Sequence, residues 1–163
     1  MNQSELNETI NASPEKVWDA LFSQYGDIHV HNPTMTASNY LQGASEGASG
    51  VVRHCEFGPK LYLDEQITDV IDGRSFRVVV LEHNLPMVKE MAATYELSST
   101  DGQTTDLKMV SFNSFAPGFM KYLMRGQMRK NVAKHLFGLK YYVETGNTID
   151  PDHYKKVYAA YAS

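Results

Sequence analysis

A chain of 163 residues holds enough side-chain volume for one domain with its own core, and 42% apolar against 21% charged residues excludes a disordered or fibrous design. A formal charge of -4 excludes general nucleic-acid affinity, which rests on surplus Lys and Arg. Cys55 is the single cysteine, so an intrachain disulfide is excluded and a reducing, cytoplasmic setting is expected.

The segment Met1 to Asn11 is polar and acidic, unlike a signal peptide, and no run of about 18 apolar residues predicts a membrane span. Leu6 to Ile10 reads as a first strand. Ser13, Pro14 and Glu15 then open a helix, because Ser caps free amides, Pro is tolerated at the first helical position and Glu complements the dipole. Val17, Trp18, Leu21, Phe22 and Tyr25 recur at helical spacing and Gly26 supplies a stop, which predicts one short helix over 14–25. In the link from Gly26 to Pro33, the proline limits any further helix to a turn or so.

From Thr34 to Phe115, β-rich runs alternate with turn residues, predicting strands over 35–42, 49–57, 61–70, 75–83, 88–98 and 104–114. Asp72-Gly73 suits a two-residue hairpin turn, and Gly58-Pro59 and Asp101-Gly102 mark two more. Ala116-Pro117-Gly118 opens the last region, where Met128, Val132, Leu136, Leu139 and Val143 repeat every three or four residues as one long amphipathic helix. Extending that stripe backwards meets Arg125 and Lys121, while Phe119, Met120 and Leu123 fall on another face. A break near Gly126 follows, with the apolar group covering a cavity mouth. The domain is read as 1–146, with 147–163 as a Tyr- and Ala-rich tail suited to a short helix.

Strand parity assigns the inner face. Leu61, Leu63, Glu65 and Ile67 share one face and Tyr62, Asp64, Gln66 and Thr68 the other, so the apolar set faces in. Pairing through Asp72-Gly73 sets Ile67 opposite Val78 and Glu65 opposite Val80, which turns Phe76, Val78, Val80 and Glu82 inward. The loop at Gly58-Pro59-Lys60 sets Phe57 opposite Leu61, Cys55 opposite Leu63 and Arg53 opposite Glu65. A three-residue loop from Asp101 to Gln103 pairs Tyr95 with Met109, Ala93 with Ser111 and Met91 with Asn113. Unbroken parity also brings Lys89 inside, opposite Glu82 at the rim. Asn84-Leu85-Pro86-Met87 then becomes an entrance flap, or else Leu85 and Met87 pack on Ile28 and Val30. Met124, Met128 and Val132 of the long helix complete an apolar chamber with sparse polar anchors, the mixture that ligand pockets use.

The residues Ala12-Ser13-Pro14-Glu15-Lys16-Val17-Trp18, Gly26-Asp27-Ile28, Gly50-Val51-Val52-Arg53, Leu63-Asp64-Glu65-Gln66-Ile67-Thr68 and Leu85-Pro86, in this order, resemble the helix-grip (SRPBCC/START-like) superfamily. That superfamily includes the major birch pollen allergen, START lipid-transfer domains and polyketide cyclases/dehydrases, and the likeness runs from Ile10 to Glu144. It implies an α+β fold, with a seven-stranded antiparallel sheet of order 1-7-6-5-4-3-2 curved around the long helix and two short helices after the first strand. Abscisic acid receptors share the fold and a Glu matching Glu65. Their gate is replaced here by Phe57-Gly58-Pro59-Lys60-Leu61, which speaks against hormone-type gating.

Arg53 opposite Glu65 is the most specific chemical feature. As a functional pair it orients a carboxylate, phenol or carbonyl, or works as acid and base; as a structural pair it satisfies two buried charges. With Tyr95, these are the candidate catalytic residues. His29 and His31 form a close pair without a third ligand, so no metal is expected, and Gly43, Gly47 and Gly50 match no phosphate or dinucleotide loop, so no cofactor is expected. Cys55 reads as a small buried hydrophobe. Between Leu107 and Val143 there is no acidic residue, while Lys108, Lys121, Arg125, Arg129, Lys130, Lys134 and Lys140 all occur there. They form a solvated helix face or a patch for transient contact with an anionic membrane surface. A homo-oligomer is compatible with the sequence.

Three functions compete. The first is binding or transport of a small hydrophobic or amphipathic molecule; the second is an aromatase/cyclase- or dehydrase-like activity on a polyketide-like chain; the third is a chaperone-assisting interaction module that uses an outer surface and needs no open cavity, which a sealed core would favour.

Overall fold

The hairpins expected between Thr34 and Phe115 pair one after another in the computed structural model, which describes residues 2–162, leaving the first residue of the expected domain and the last of the tail outside it. The strands are β1 (Asn2–Ile10), β2 (Ala37–Tyr40), β3 (Val52–Glu56), β4 (Tyr62–Ile71), β5 (Ser75–His83), β6 (Val88–Ser98) and β7 (Thr105–Phe115). They form one antiparallel sheet in the order β1-β7-β6-β5-β4-β3-β2. Three α-helices accompany it: α1 (Pro14–Trp18), α2 (Met120–Thr145) and α3 (Tyr154–Tyr161).

Ser13 caps α1 through its hydroxyl, which accepts from the Lys16 amide. The single helix expected over 14–25 is not what forms. After Trp18 the coil widens to a π-helical segment, Asp19–Ser23, and then tightens to a 3₁₀ segment, Tyr25–Val30. The wide turn buries Ala20, Leu21 and Phe22 together and stacks Phe22 on Trp18, 4.5 Å between ring centres, with Phe76 closing the cluster. Gly26 is not a stop; a Cβ there would lie 2.6 Å from the Tyr40 ring, so the residue permits close packing of the link on β2.

The β4–β5 turn also differs from expectation. Ile71 faces Ser75 around three residues, Asp72-Gly73-Arg74, and the Arg74 amide donates to the Ile71 carbonyl. An extra residue in β4 at Asp69, whose φ is 50°, takes up the offset. Deeper in the hairpin, Ile67 therefore still faces Val78 and Glu65 still faces Val80.

No break occurs at Gly126: α2 is one uninterrupted helix. Its apolar stripe continues backwards from Val132 and Met128 through Met124, four residues at a time, so Arg125 never has to enter it and stays exposed. Phe119, Tyr122 and Leu123 point to solvent instead of covering the cavity. In its second half, Leu136, Leu139 and Val143 pack on Val17, Leu21 and the sheet core. α3 lies against the far side of α2, where Tyr154, Tyr158 and Tyr161 surround Phe137. The Tyr161 hydroxyl donates to Glu144, whose other oxygen accepts from the Asn11 amide and pairs with Lys140. The tail, α2 and the residue after β1 are thereby joined.

Candidate ligand-binding site

Because α2 seals the sheet only through its second half, a cavity of about 470 Å³ is left between the concave face and the first half of the helix. Its walls are apolar and include Met91, Met109, Met124 and Met128, flexible side chains that adapt to irregular shapes. Among its polar lining residues, Arg53, Glu65, Tyr25, Tyr95 and His135 form one connected cluster.

Arg53 is 2% exposed and stands opposite Glu65 across β3 and β4. Its Nη2 donates to Glu65 Oε1, its Nη1 donates to the Tyr25 carbonyl at 2.8 Å, and its guanidinium lies 3.7 Å from the centre of the Tyr25 ring. Tyr25 Oη also donates to Glu65 Oε1, at 2.6 Å. Burial works against the guanidinium charge, but Glu65 together with Tyr25, Cys55 and Tyr95 outweighs it and holds Arg53 above its ordinary range. The same burial raises the Tyr25 and Tyr95 hydroxyls well above theirs. Glu65 Oε2 accepts no hydrogen bond among the described residues.

Tyr95, on β6, brings its hydroxyl 3.3 Å from Nε2 of His135 on α2, so the pair bridges sheet and helix. The His135 ring is nearly parallel to His31, whose Nε2 donates to the Ala20 carbonyl. Burial lowers the pKa of His31 to about 4 and that of His135 to about 3, so both are neutral at pH 7. The Nδ1 atom of each is buried without a partner among the described residues.

The structure brings Arg53, Phe57, Leu63, Glu65, Val78, Val80, Leu85, Met91, Tyr95, Met109, Ser111, Asn113, Met124, Met128 and Val132 to the cavity wall. Three expected residues lie elsewhere. Cys55 is fully buried between Ser38 of β2 and Leu63 of β4 but off the wall, and burial pushes its thiol up to about 12. Glu82 faces solvent, because an extra residue in β5 near Leu81 reverses the parity: Glu65 faces Val80, but Asp64 faces Glu82. Glu82 consequently accepts from Tyr62 Oη on the outer face. Lys89 occupies a second bulge, between the pairs Val88–Phe115 and Glu90–Ser114, and is exposed. The β5–β6 pairing ends at Val79–Ala92, so the expected Glu82–Lys89 rim pair is absent. In the connecting loop, Leu85 and Pro86 reach the cavity while Met87, at φ 63°, turns outward.

Tyr25, Asn32, Met35 and His135 also line the cavity and were not foreseen. His135 had a legible signal, since it follows Val132 by three residues on the inward stripe; Asn32 and Met35 sit in a link without periodicity. His29 bonds Ser38 while His31 turns toward Ala20, so the close pair diverges. Among the described residues, no three His, Cys, Asp or Glu side chains are grouped to hold a metal. Several of the expected patch cations are engaged: Lys108 with Glu96, Arg129 with the Glu5 carbonyl, Lys140 with Glu8 and Glu144, and Lys134 over the Tyr154 ring. No described helix is long and apolar enough to cross a membrane.

Among solved structures, the chain resembles Ara h 8.0201 at 14% identity and a TM-score of 0.69, over 87% of this chain and 97% of that one. XoxI from Bacillus cereus aligns at 17% identity and a TM-score of 0.69, over 86% and 94% of the two chains. A START superfamily protein from Mycobacterium smegmatis aligns at 14% identity and a TM-score of 0.65, over 85% and 96%. These likenesses establish the helix-grip fold. No curated protein matches the chain. Residues 1–144 match the family described as polyketide cyclase / dehydrase and lipid transport, and the chain belongs to that family.

Proposed function

We propose that this protein binds or carries a small hydrophobic or amphipathic molecule in the chamber between the sheet and α2. Family and fold both support a hydrophobic ligand-binding role. The observation that carries the reading is the cavity of about 470 Å³, walled mainly by apolar side chains with a few polar groups among them. That volume falls within the range of small-molecule sites, roughly 300–1,000 Å³. Apolar walls supply affinity, and the Arg53, Glu65 and Tyr95 cluster fixes orientation. The test is native mass spectrometry of the purified protein, followed by extraction of whatever small molecule travels with it. A protein that is consistently empty and takes up no hydrophobic probe overturns the reading.

A second reading, a cyclase- or dehydrase-like activity, draws on the contact between Tyr95 Oη and His135 Nε2 beside the open oxygen of Glu65. These groups offer a proton donor and acceptor to a bound carbonyl chain. Turnover of a β-polyketone that disappears in Glu65→Gln supports it; no turnover in the wild type dismisses it. A sealed core would have favoured the chaperone-assisting alternative, which uses an outer surface, and the open chamber withholds that support.

A further inference from the structure

The charges on the cavity wall bear on what kind of head group the chamber accepts. Two lining residues are cationic, Arg53 and Lys134, and both are engaged elsewhere. Arg53 gives Nη2 to Glu65 and Nη1 to the Tyr25 carbonyl, and its Nε, without a partner among the described residues, is fully buried and not on the cavity surface, while Lys134 directs its Nζ over the Tyr154 ring on the far side of α2. His31 and His135 are neutral and add no positive charge. Glu65 is the one carboxylate on the wall, and both of its donors, Tyr25 and Arg53, converge on the same oxygen. Oε2 therefore presents a charged acceptor to the cavity with no donor opposite it among the described residues. An anionic head group placed here meets a carboxylate and no cationic donor that is both unengaged and open to the cavity, in surroundings where like charges repel strongly. A neutral hydroxyl instead donates to Oε2 in a charge-assisted hydrogen bond.

We infer that the chamber selects neutral ligands bearing a hydroxyl donor, an aliphatic alcohol or phenol, over carboxylates of the same length, with Glu65 Oε2 as the recognising atom. The inference rests on the ligand-binding reading above and sharpens it to a head-group class.

The test compares three ligands of matched length at neutral pH by displacement of the uncharged dye Nile red: 1-decanol, its isomer 1-methoxynonane, which lacks the donor, and decanoate. The expected result is that 1-decanol binds about tenfold or more tightly than either of the others, the scale of one charge-assisted hydrogen bond. If the ether or decanoate equals the alcohol, the head-group assignment falls while ligand binding stands. If none of the three binds and the dye is not taken up, the ligand-binding reading falls and takes this inference with it. Glu65→Gln then locates the effect. Its carbonyl can keep the bonds to Arg53 and Tyr25, placing an amide donor where Oε2 stood, so the alcohol loses its advantage over the ether. An undiminished advantage in a folded Glu65→Gln protein overturns the role of Glu65. Should that variant not fold, the wild-type comparison still decides between head groups.

Discussion

Arg53 and Glu65 face each other across β3 and β4, and the guanidinium rests against the Tyr25 ring whose hydroxyl shares the same carboxylate oxygen. Removing either partner leaves the other charge buried without a counterion. Arg53→Leu and Glu65→Leu should each cost about 3–5 kcal/mol of stability. The double mutant should lose less than the sum of the two by at least about 1 kcal/mol, as coupled neighbours do. Urea denaturation of the four proteins measures this, and strictly additive losses would show that the pair is uncoupled.

Acid should destabilise the protein through its buried imidazoles. The folded pKa values of His31 and His135, about 4 and about 3, lie below the ordinary 6.5 because burial opposes the charge. The unfolded chain therefore binds more protons through this interval, and stability falls as pH drops from about 6.5 toward 4. Each histidine contributes a slope of up to about 1.4 kcal/mol per pH unit. His135→Leu should remove roughly half of the histidine contribution, read from denaturation midpoints between pH 7 and 4. An unchanged slope would assign the acid sensitivity to other groups.

Two glycines of α2 should respond in opposite directions. A Cβ at Gly126 would meet nothing within 4 Å, so Gly126→Ala should stabilise by about 1 kcal/mol through helix propensity and raise Tm by roughly 2–4 °C. A Cβ at Gly138 would lie 2.1 Å from the His31 carbonyl oxygen, so Gly138→Ala should destabilise by several times that amount, on the order of overpacking costs. Thermal melts of both variants check the pair.

Leu85 reaches the cavity from the β5–β6 loop and is partly exposed, so its side chain contributes more to a bound ligand than to the core. Leu85→Ser should raise the ligand off-rate by roughly tenfold, the scale of one lost apolar contact surface, and move the unfolding midpoint little. An unchanged off-rate beside a lowered midpoint would assign Leu85 a structural role alone.

Strand order and most of the register were legible in the sequence because each hairpin carries its own turn signal and alternation does the rest. Arg53 opposite Glu65, Tyr95 opposite Met109 and Met91 opposite Asn113 all stand as parity placed them. Parity failed for Glu82 and Lys89, where bulges insert one unpaired residue and nothing in the local composition announces them. The α1 region failed for a different reason. Helical spacing describes which side chains are buried, but the π and 3₁₀ segments after Trp18 follow from packing of Trp18 and Phe22 on Phe76 and of Gly26 on Tyr40, partners distant in sequence and on other elements. Asn32 and Met35 reach the cavity from a link whose path only the assembled sheet determines.

The bulge near Leu81 also governs how many negative charges the chamber can hold. β5 has one acidic residue, Glu82, and a regular ladder would turn it inward two positions beyond Val80, giving the wall a second carboxylate. Taking up Leu81 as a bulge, instead of pairing it in a shifted ladder, keeps that charge in solvent, so the chamber's electrostatic character depends on local register as well as on residue type. Deleting Leu81 would remove the bulge with Glu82 still opposite Asp64 on the outer face, so the interior would keep Glu65 as its one wall carboxylate, already engaged by Arg53, and would gain no counter-charge for a cationic ligand.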